Sequence, residues 1–206
     1  MNSSAENHRF GDNEDAKAVK IKNILDMALD FTAMIRLFEK GSNKKILSYL
    51  DSFIPSIFNS ETELEYNGKH SEFCQWFTSN IKTAEKRNKN GLLIKKSGYA
   101  SWGQAAKVLD IILKVCIYYC HLPSCERAAK IVVWLNGAVD TPILEYLKKC
   151  YNCQLISRTT TIEGIDKEKY EEIQKMIRSE INEKYNDKIV PVQFDDILWR
   201  KLNRDE

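Results

Sequence analysis

Apolar residues recur at helical spacing along most of this chain. Between Ala16 and Lys40 they fall three and four residues apart, the period of a helix that buries one face against a core. The same period predicts a helix from Asn43 to Phe53, limited by Pro55. A third helix, rich in aromatic residues, is predicted from Glu72 to Arg87. The first half of the chain is therefore predicted to be helical.

The most apolar helix is predicted from Gln104 to Tyr119. Its apolar residues cover nearly the whole circumference, which is typical of a helix at the centre of a bundle. A helix from Cys125 to Leu135 follows, with Ser124 as its N-cap, and the next helix starts after Asp140 or Thr141.

The last fifty residues add two more helices. Asp166 is expected to cap a long charged helix that ends at Tyr185, and a short helix is expected near the C-terminus, at 194–201. Only the stretch 154–161 has some strand character. We predict an all-α fold: a disordered tail, residues 1–15, and then a single helical domain, residues 16–206, built as a multi-helix bundle around the buried central helix.

The charge balance narrows the classes of function. With 31 basic and 29 acidic residues the formal net charge is only +2, so any binding to nucleic acid has to use a local basic patch. No apolar run is long enough for a membrane span, and the first sixteen residues lack the order of a signal peptide. We therefore expect a cytoplasmic protein that has no membrane partner.

Six cysteines raise the question of a metal site. Cys150 and Cys153 have the spacing of half a zinc site, and Cys116 and Cys120 lie one helical turn apart. Within an apolar helix, however, cysteine behaves as a small hydrophobic residue. We expect reduced thiols without a bound metal, and the alternative is zinc binding at Cys150 and Cys153.

A basic stretch precedes the central helix. It runs from Lys82 to Gly91 and is extended by Lys95 and Lys96. One interpretation is a solvated helix end, where cations favour the negative pole of the helix dipole. The other is a patch that contacts phosphate groups of a nucleic acid.

Two polar residues of the central region are candidates for chemistry. Lys107 lies in the first turns of the apolar helix, where burial and the positive helix terminus would lower its pKa and favour a neutral, nucleophilic amine. Asp140 precedes a helix and could stabilise a cation. Each has a structural alternative: the Lys107 side chain could extend to solvent, and Asp140 could act only as an N-cap.

Two segments resemble a known superfamily. They are GQAAKVLDIILK, which follows the glycines of SGYASWG, and GAVDTPILEYL. Together they resemble the helix-hairpin-helix DNA glycosylases, and within them the archaeal 8-oxoguanine glycosylases. The resemblance implies that Lys107 attacks the anomeric carbon of the sugar, that Asp140 assists, and that a hairpin from Gly98 to Gly103 holds a phosphate. The nucleic-acid-binding residues that it implies are Lys95, Lys96, Gly98, Trp102, Gly103 and Gln104.

This resemblance implies a DNA glycosylase/lyase of base-excision repair that binds double-stranded DNA and needs no cofactor. A flipped base would then lie near Trp102, Lys107 and Asp140. The chain departs from the family hairpin, because four residues separate Gly98 from Gly103 where one is usual. The chain is also similar to uncharacterised small helical bacterial proteins. The alternative hypothesis is a non-enzymatic helical module that binds a partner through the helix 166–185 or the region around Trp199.

Overall fold

The computed structural model describes residues 14–151 and 154–203, most of which are helical. The α-helices of this described part are α1 (Glu14–Phe31), α2 (Ser42–Phe58), α3 (Glu63–Asn80), α4 (Trp102–Leu113), α5 (Cys125–Ile131), α6 (Thr141–Cys150), α7 (Lys167–Tyr185) and α8 (Pro191–Asn203). Short 3-10 turns are found at Ala33–Leu37, Val132–Trp134 and Ile162–Gly164, and a π-helical segment, Lys114–Tyr119, continues α4. The predicted all-α class is confirmed.

A long β-hairpin joins α3 to α4. Its strands are β1 (Lys82–Thr83), β2 (Lys86–Arg87), β3 (Leu93–Lys95) and β4 (Gly98–Tyr99). β1 pairs with β4 and β2 pairs with β3, both antiparallel, so residues 82–99 fold back on themselves. We call this segment the 82–99 hairpin.

Helix α4 is the buried centre of the bundle, as predicted. It packs against α1, α3 and α7 and against the turn Ile162–Gly164. Val108, Leu109 and Ile112 have no exposed surface. Each buried aliphatic side chain of this size contributes about 1.5–3 kcal/mol, so α4 supplies a large part of the stability of the core.

Two predicted helix ends are wrong in the first sixty residues. The helix predicted to reach Lys40 ends at Phe31, where the Thr32 hydroxyl donates to the Ala28 carbonyl and the backbone becomes extended. The helix predicted to stop before Pro55 continues to Phe58. Burial of the apolar residues after the proline outweighs the single hydrogen bond that proline removes.

The third predicted helix is shifted along the chain. α3 begins at Glu63 because the Thr62 hydroxyl accepts the Glu65 amide, and it ends at Asn80. Residues 82–87, predicted as its last turns, instead form strands β1 and β2. The interpretation of the basic stretch as a helix end is therefore wrong.

The later helices follow their predicted caps. Ser124, Asp140 and Asp166 each accept a backbone amide at the start of α5, α6 and α7. The strand character predicted for 154–161 is wrong, because the Ser157 amide donates to the Thr160 hydroxyl and forms a local turn instead.

The predicted disordered tail lies mostly outside the part of the chain that the structure describes. Residues 1–13 of the predicted tail lie outside the described residues, whereas Glu14 and Asp15 form the first turn of α1. No helix within 14–151 or 154–203 is both long and apolar enough to cross a bilayer.

Candidate active site

Lys107 and Asp140 line the same pocket. It has a volume of about 430 Å³ and lies between α1, α4, α6 and α8. Its walls are formed by Phe31, Ala33, Lys107, Ile111, Lys114, Ala138, Asp140, Ile143, Asp195, Asp196 and Trp199. We call it the Lys107 pocket. The two residues singled out from the sequence are thus brought together, although 33 positions separate them.

The amine of Lys107 has the environment of a reactive lysine. Its side chain is half-buried on α4, between the buried residues Ala106 and Val108. Burial lowers the pKa of Lys107 below its ordinary value, and the Asp140 carboxylate offsets part of this shift. Among the described residues, none forms a hydrogen bond or an ion pair with its amine. A neutral amine is therefore easier to form here than on a solvated lysine.

Asp140 has two roles in the structure. Its Oδ1 atom accepts the Ile143 amide at 2.9 Å and caps α6, as the structural interpretation of the sequence expected. Its side chain also borders the Lys107 pocket, where its negative charge acts on the Lys107 amine.

An ionic cluster forms another wall of this pocket. Lys114 Nζ pairs with Asp195 and, at 2.6 Å, with Oδ1 of Asp196. Burial raises the pKa of Asp195 to about 7, although Lys114 and the Ala138 amide, 2.8 Å from Oδ2, favour its carboxylate. The sequence offered no local signal for these aspartates, because the contact joins positions 81 residues apart.

The Lys107 pocket is lined by aromatic residues other than the predicted Trp102. Phe31 and Trp199 line it and are 76% and 47% exposed. Trp102 instead lines a different pocket. It precedes Lys107 by five residues on α4, a spacing that places the two side chains on different faces of the helix. The predicted grouping of Trp102 with Lys107 and Asp140 is therefore corrected.

The predicted phosphate-binding hairpin is also corrected. Gly98 lies in strand β4, and α3 is joined to α4 by the 82–99 hairpin rather than by a short loop. The Gly103 amide donates to the Ile165 carbonyl, so it is already bonded. The buried side chain of Gln104 accepts the Ser101 amide in a capping box. Gly103 and Gln104 therefore have structural roles.

The 82–99 hairpin concentrates the positive charge of the chain. It contains six basic residues and one acidic residue, which leaves 25 basic and 28 acidic residues elsewhere. Lys95 pairs with Glu163, and Arg87 pairs with Glu85. Lys86, Lys89 and Lys96 are exposed and form no ion pair with any residue that the structure describes.

A second polar cluster was missed by the sequence interpretation. His70 Nε2 lies 2.9 Å from Asp110 Oδ1, and the Tyr170 hydroxyl donates to Asp110 Oδ2 at 2.8 Å. Burial disfavours the imidazolium, but the Cys74 sulfur and the Asp110 carboxylate favour it and raise the pKa of His70 to about 10. The sequence pattern did not single out His70, because the helix was predicted to start after it. In the structure α3 carries His70 on its buried face.

His70 and Tyr170 line a pocket of about 280 Å³, which also contains Trp102 and Asn136. We call it the Asn136 pocket. The Cys74 sulfur lies 3.8 Å from His70 Nδ1, but Cys74 is fully buried and does not reach the pocket surface. It is therefore not placed to attack a bound molecule.

The alternative of zinc binding at Cys150 and Cys153 stays a prediction, because Cys153 lies outside the described residues. Cys150 is exposed at the end of α6, and Cys116 is buried in the π-helical segment. Within the described ranges no group of three or more His, Cys, Asp or Glu side chains is arranged to hold a metal ion.

Comparisons with protein-family models, curated proteins and solved structures find no match to this chain.

Proposed function

We propose that this protein is a glycosylase/lyase-type enzyme that acts on DNA through an imine formed by Lys107. The observation that supports this most directly is the half-buried Lys107 amine, which is unpaired among the described residues and shares one pocket with the Asp140 carboxylate. A lysine with a lowered pKa is a nucleophile for sugar carbons and carbonyl groups.

The proposed reaction uses the two residues in complementary ways. The neutral Lys107 amine attacks the anomeric carbon of a deoxyribose, and the bond to the base breaks. The base leaves with the bonding electron pair, and the proton lost from the attacking amine balances its charge. The C1′–O4′ bond of the sugar ring then breaks, and O4′ takes its electron pair and the remaining amine proton to become a hydroxyl group. An imine is left between Lys107 and C1′. Asp140 stabilises the positive charge that develops on the sugar.

Two further features support DNA as the substrate. The 82–99 hairpin carries exposed lysines, among them Lys86, Lys89 and Lys96, that form no ion pair with the described residues and suit contacts to a phosphate backbone. Phe31 and Trp199 offer aromatic surface at the Lys107 pocket on which a displaced base could stack.

Reductive trapping tests the chemistry. The protein is incubated with borohydride and duplex DNA that contains an abasic site, 8-oxoguanine or uracil. We expect a covalent adduct that maps to Lys107, is absent in Lys107→Ala and persists in Lys130→Ala, a variant of an exposed lysine on α5. No adduct, or an adduct that survives Lys107→Ala, would contradict the proposal.

Salt-dependent binding tests the DNA contact separately. A variant in which Lys86, Lys89 and Lys96 are all changed to Gln should lower the slope of log affinity against log salt by about 2–3, since each phosphate contact contributes about 0.9. The matched control changes the exposed Lys17, Lys20 and Lys22 of α1 to Gln. Equal slopes for the two variants would exclude the hairpin as the contact.

A non-enzymatic interaction module is the second candidate. It is favoured by Phe31 and Trp199, which line the same pocket and are 76% and 47% exposed. In that case wild-type protein gives no adduct with any of the three DNA substrates.

A further inference from the structure

The Asn136 pocket is separate from the Lys107 pocket, and the two have no lining residue in common. One of its walls is a face of α7, where Tyr170, Gln174 and Arg178 follow one another at intervals of four residues. A volume of about 280 Å³ suits one ring system rather than a drug-sized molecule.

Two polar groups of this pocket have no hydrogen-bond partner among the described residues. Asn136 is only 7% exposed and lines the pocket, yet its carboxamide forms no hydrogen bond with the described residues. The Trp102 indole N–H is also buried and unpaired within the described part of the chain. The indole nitrogen is enclosed by protein atoms and is not open to a ligand. Because a buried polar group without a partner is costly, the Asn136 carboxamide, which lines the pocket, indicates a place for a ligand that supplies its partners.

The interior of the pocket carries no net charge. The His70 imidazolium and the Asp110 carboxylate bond to each other, and Gln174 bonds at both ends of its amide to the Gly137 backbone, at 3.1 and 2.9 Å. A buried ammonium or carboxylate of a ligand would therefore lack a counter-charge. The interior favours an uncharged group, and the donor and acceptor of Asn136 match an edge on which N–H and an acceptor lie side by side.

The rim differs from the interior because it is charged. Arg178 is half-buried, and its one ion pair within the described chain is a 3.8 Å contact with Glu63. Lys175 lies one turn before it, is exposed and pairs with Glu172 at 3.5 Å, and Glu63 and Glu171 also line the pocket. Arg178, whose ion pair is the longer of the two, is the cation placed to meet an anionic group that is attached to the buried ring.

We infer that the Asn136 pocket binds the base of a nucleoside monophosphate, with Asn136 bonded to the base edge and the phosphate at Arg178. Aromatic walls from Trp102 and Tyr170 suit the flat faces of such a base. This inference goes beyond the proposed function, because it concerns a different pocket and does not need Lys107.

Calorimetric titration of the full chain tests this inference. The probes are UMP, GMP and AMP, with inorganic phosphate and ribose 5-phosphate as probes that lack a base, and a short single-stranded oligonucleotide. We expect at least one mononucleotide or the oligonucleotide to bind. Binding of a free mononucleotide assigns the pocket to nucleotides in solution, whereas binding of the oligonucleotide alone assigns it to a base within nucleic acid.

Two variants and two matched controls locate the binding. Asn136→Ala should weaken it about tenfold or more, as expected for the loss of a two-bond contact to a base edge. Trp102→Phe replaces an aromatic wall by a smaller ring and should weaken binding severalfold. Asn43→Ala and Trp134→Phe lie outside the pocket and should bind as the wild type does. Thermal unfolding of each variant checks that it is folded.

Three results would overturn the inference. They are no binding of any base-containing probe at millimolar concentration, equal binding of ribose 5-phosphate, and unchanged affinity in both Asn136→Ala and Trp102→Phe. The borohydride test with Lys107→Ala bears only on the proposed function, and the nucleotide titration bears only on the Asn136 pocket. A failure of one can therefore be distinguished from a failure of the other.

Discussion

The Nε2 atom of His70 lies 2.9 Å from Oδ1 of Asp110, and both side chains are buried where α3, α4 and α7 meet. Tyr170 completes this cluster by donating to the second carboxylate oxygen. The charges are thus satisfied by each other and by α7. This pairing ties the central helix to two neighbours through specific geometry, in addition to the apolar contacts.

Removal of the carboxylate should be costly. Asp110→Asn keeps the shape of the side chain but leaves His70 without a counter-charge, so we expect the free energy of unfolding to fall by about 3 kcal/mol. Tyr170→Phe removes one bond to a charged acceptor and should cost about 1.5–3 kcal/mol. Urea unfolding monitored by circular dichroism measures both changes.

The control for the tyrosine is Tyr99→Phe, since Tyr99 is exposed on the 82–99 hairpin and should unfold as the wild type does. Equal stability of Asp110→Asn and the wild type would show that the pair contributes nothing to the fold.

The same pair predicts a dependence of stability on pH. The folded-state pKa of His70 is raised to about 10, above its ordinary value of 6.5. Its contribution is therefore fully present below about pH 6.5 and is lost as the pH rises through 10. We expect the wild type to lose more stability than His70→Gln between these limits. Titration of the His70 ring by NMR, with no protonation change near pH 6.5, is the direct measurement.

Local signals in the sequence predicted the elements that depend on neighbouring residues. Ser124, Asp140 and Asp166 cap their helices because each side chain needs only an amide three residues ahead. The apolar circumference of the central helix likewise predicted its burial at α4. These predictions needed no knowledge of the rest of the fold.

Long-range contacts determine the features of the fold that the sequence pattern could not predict. α2 passes through Pro55 because its last turn is buried, and the 82–99 hairpin is held at its base by a bridge between Phe38 and Thr83. The sequence pattern singled out Lys107 and Asp140 because they are polar residues in an apolar region. Asp195 and Trp199 join them only through the docking of α8, which no local pattern specifies.

Gly103 is predicted to be required for packing rather than for phosphate binding. A Cβ atom at this position would lie 2.6 Å from the Cβ of Ile165 and would also clash with the Ile162 carbonyl. Gly103→Ala should therefore lower the free energy of unfolding by about 1–3 kcal/mol. Thermal and urea unfolding measure this change.

The matched control is Gly68→Ala in the exposed part of α3. No atom from outside the local helix backbone lies within 4 Å of its added Cβ, so this change should stabilise the protein by about 0.5–1 kcal/mol. A Gly103→Ala variant as stable as the wild type would refute the close approach between α4 and the turn Ile162–Gly164.

Lys107 should titrate below the other lysines. Reductive methylation with ¹³C-formaldehyde gives each lysine an NMR signal whose shift follows its ionisation, and Lys107→Arg identifies the signal that belongs to Lys107. Because burial lowers the pKa of Lys107 and the Asp140 carboxylate opposes this, Asp140→Asn should lower that pKa further. Asparagine caps a helix about as well as aspartate, so α6 stays intact in this variant. A Lys107 signal that titrates with the exposed lysines, or one that Asp140→Asn shifts upward, would contradict the electrostatic coupling on which its reactivity depends.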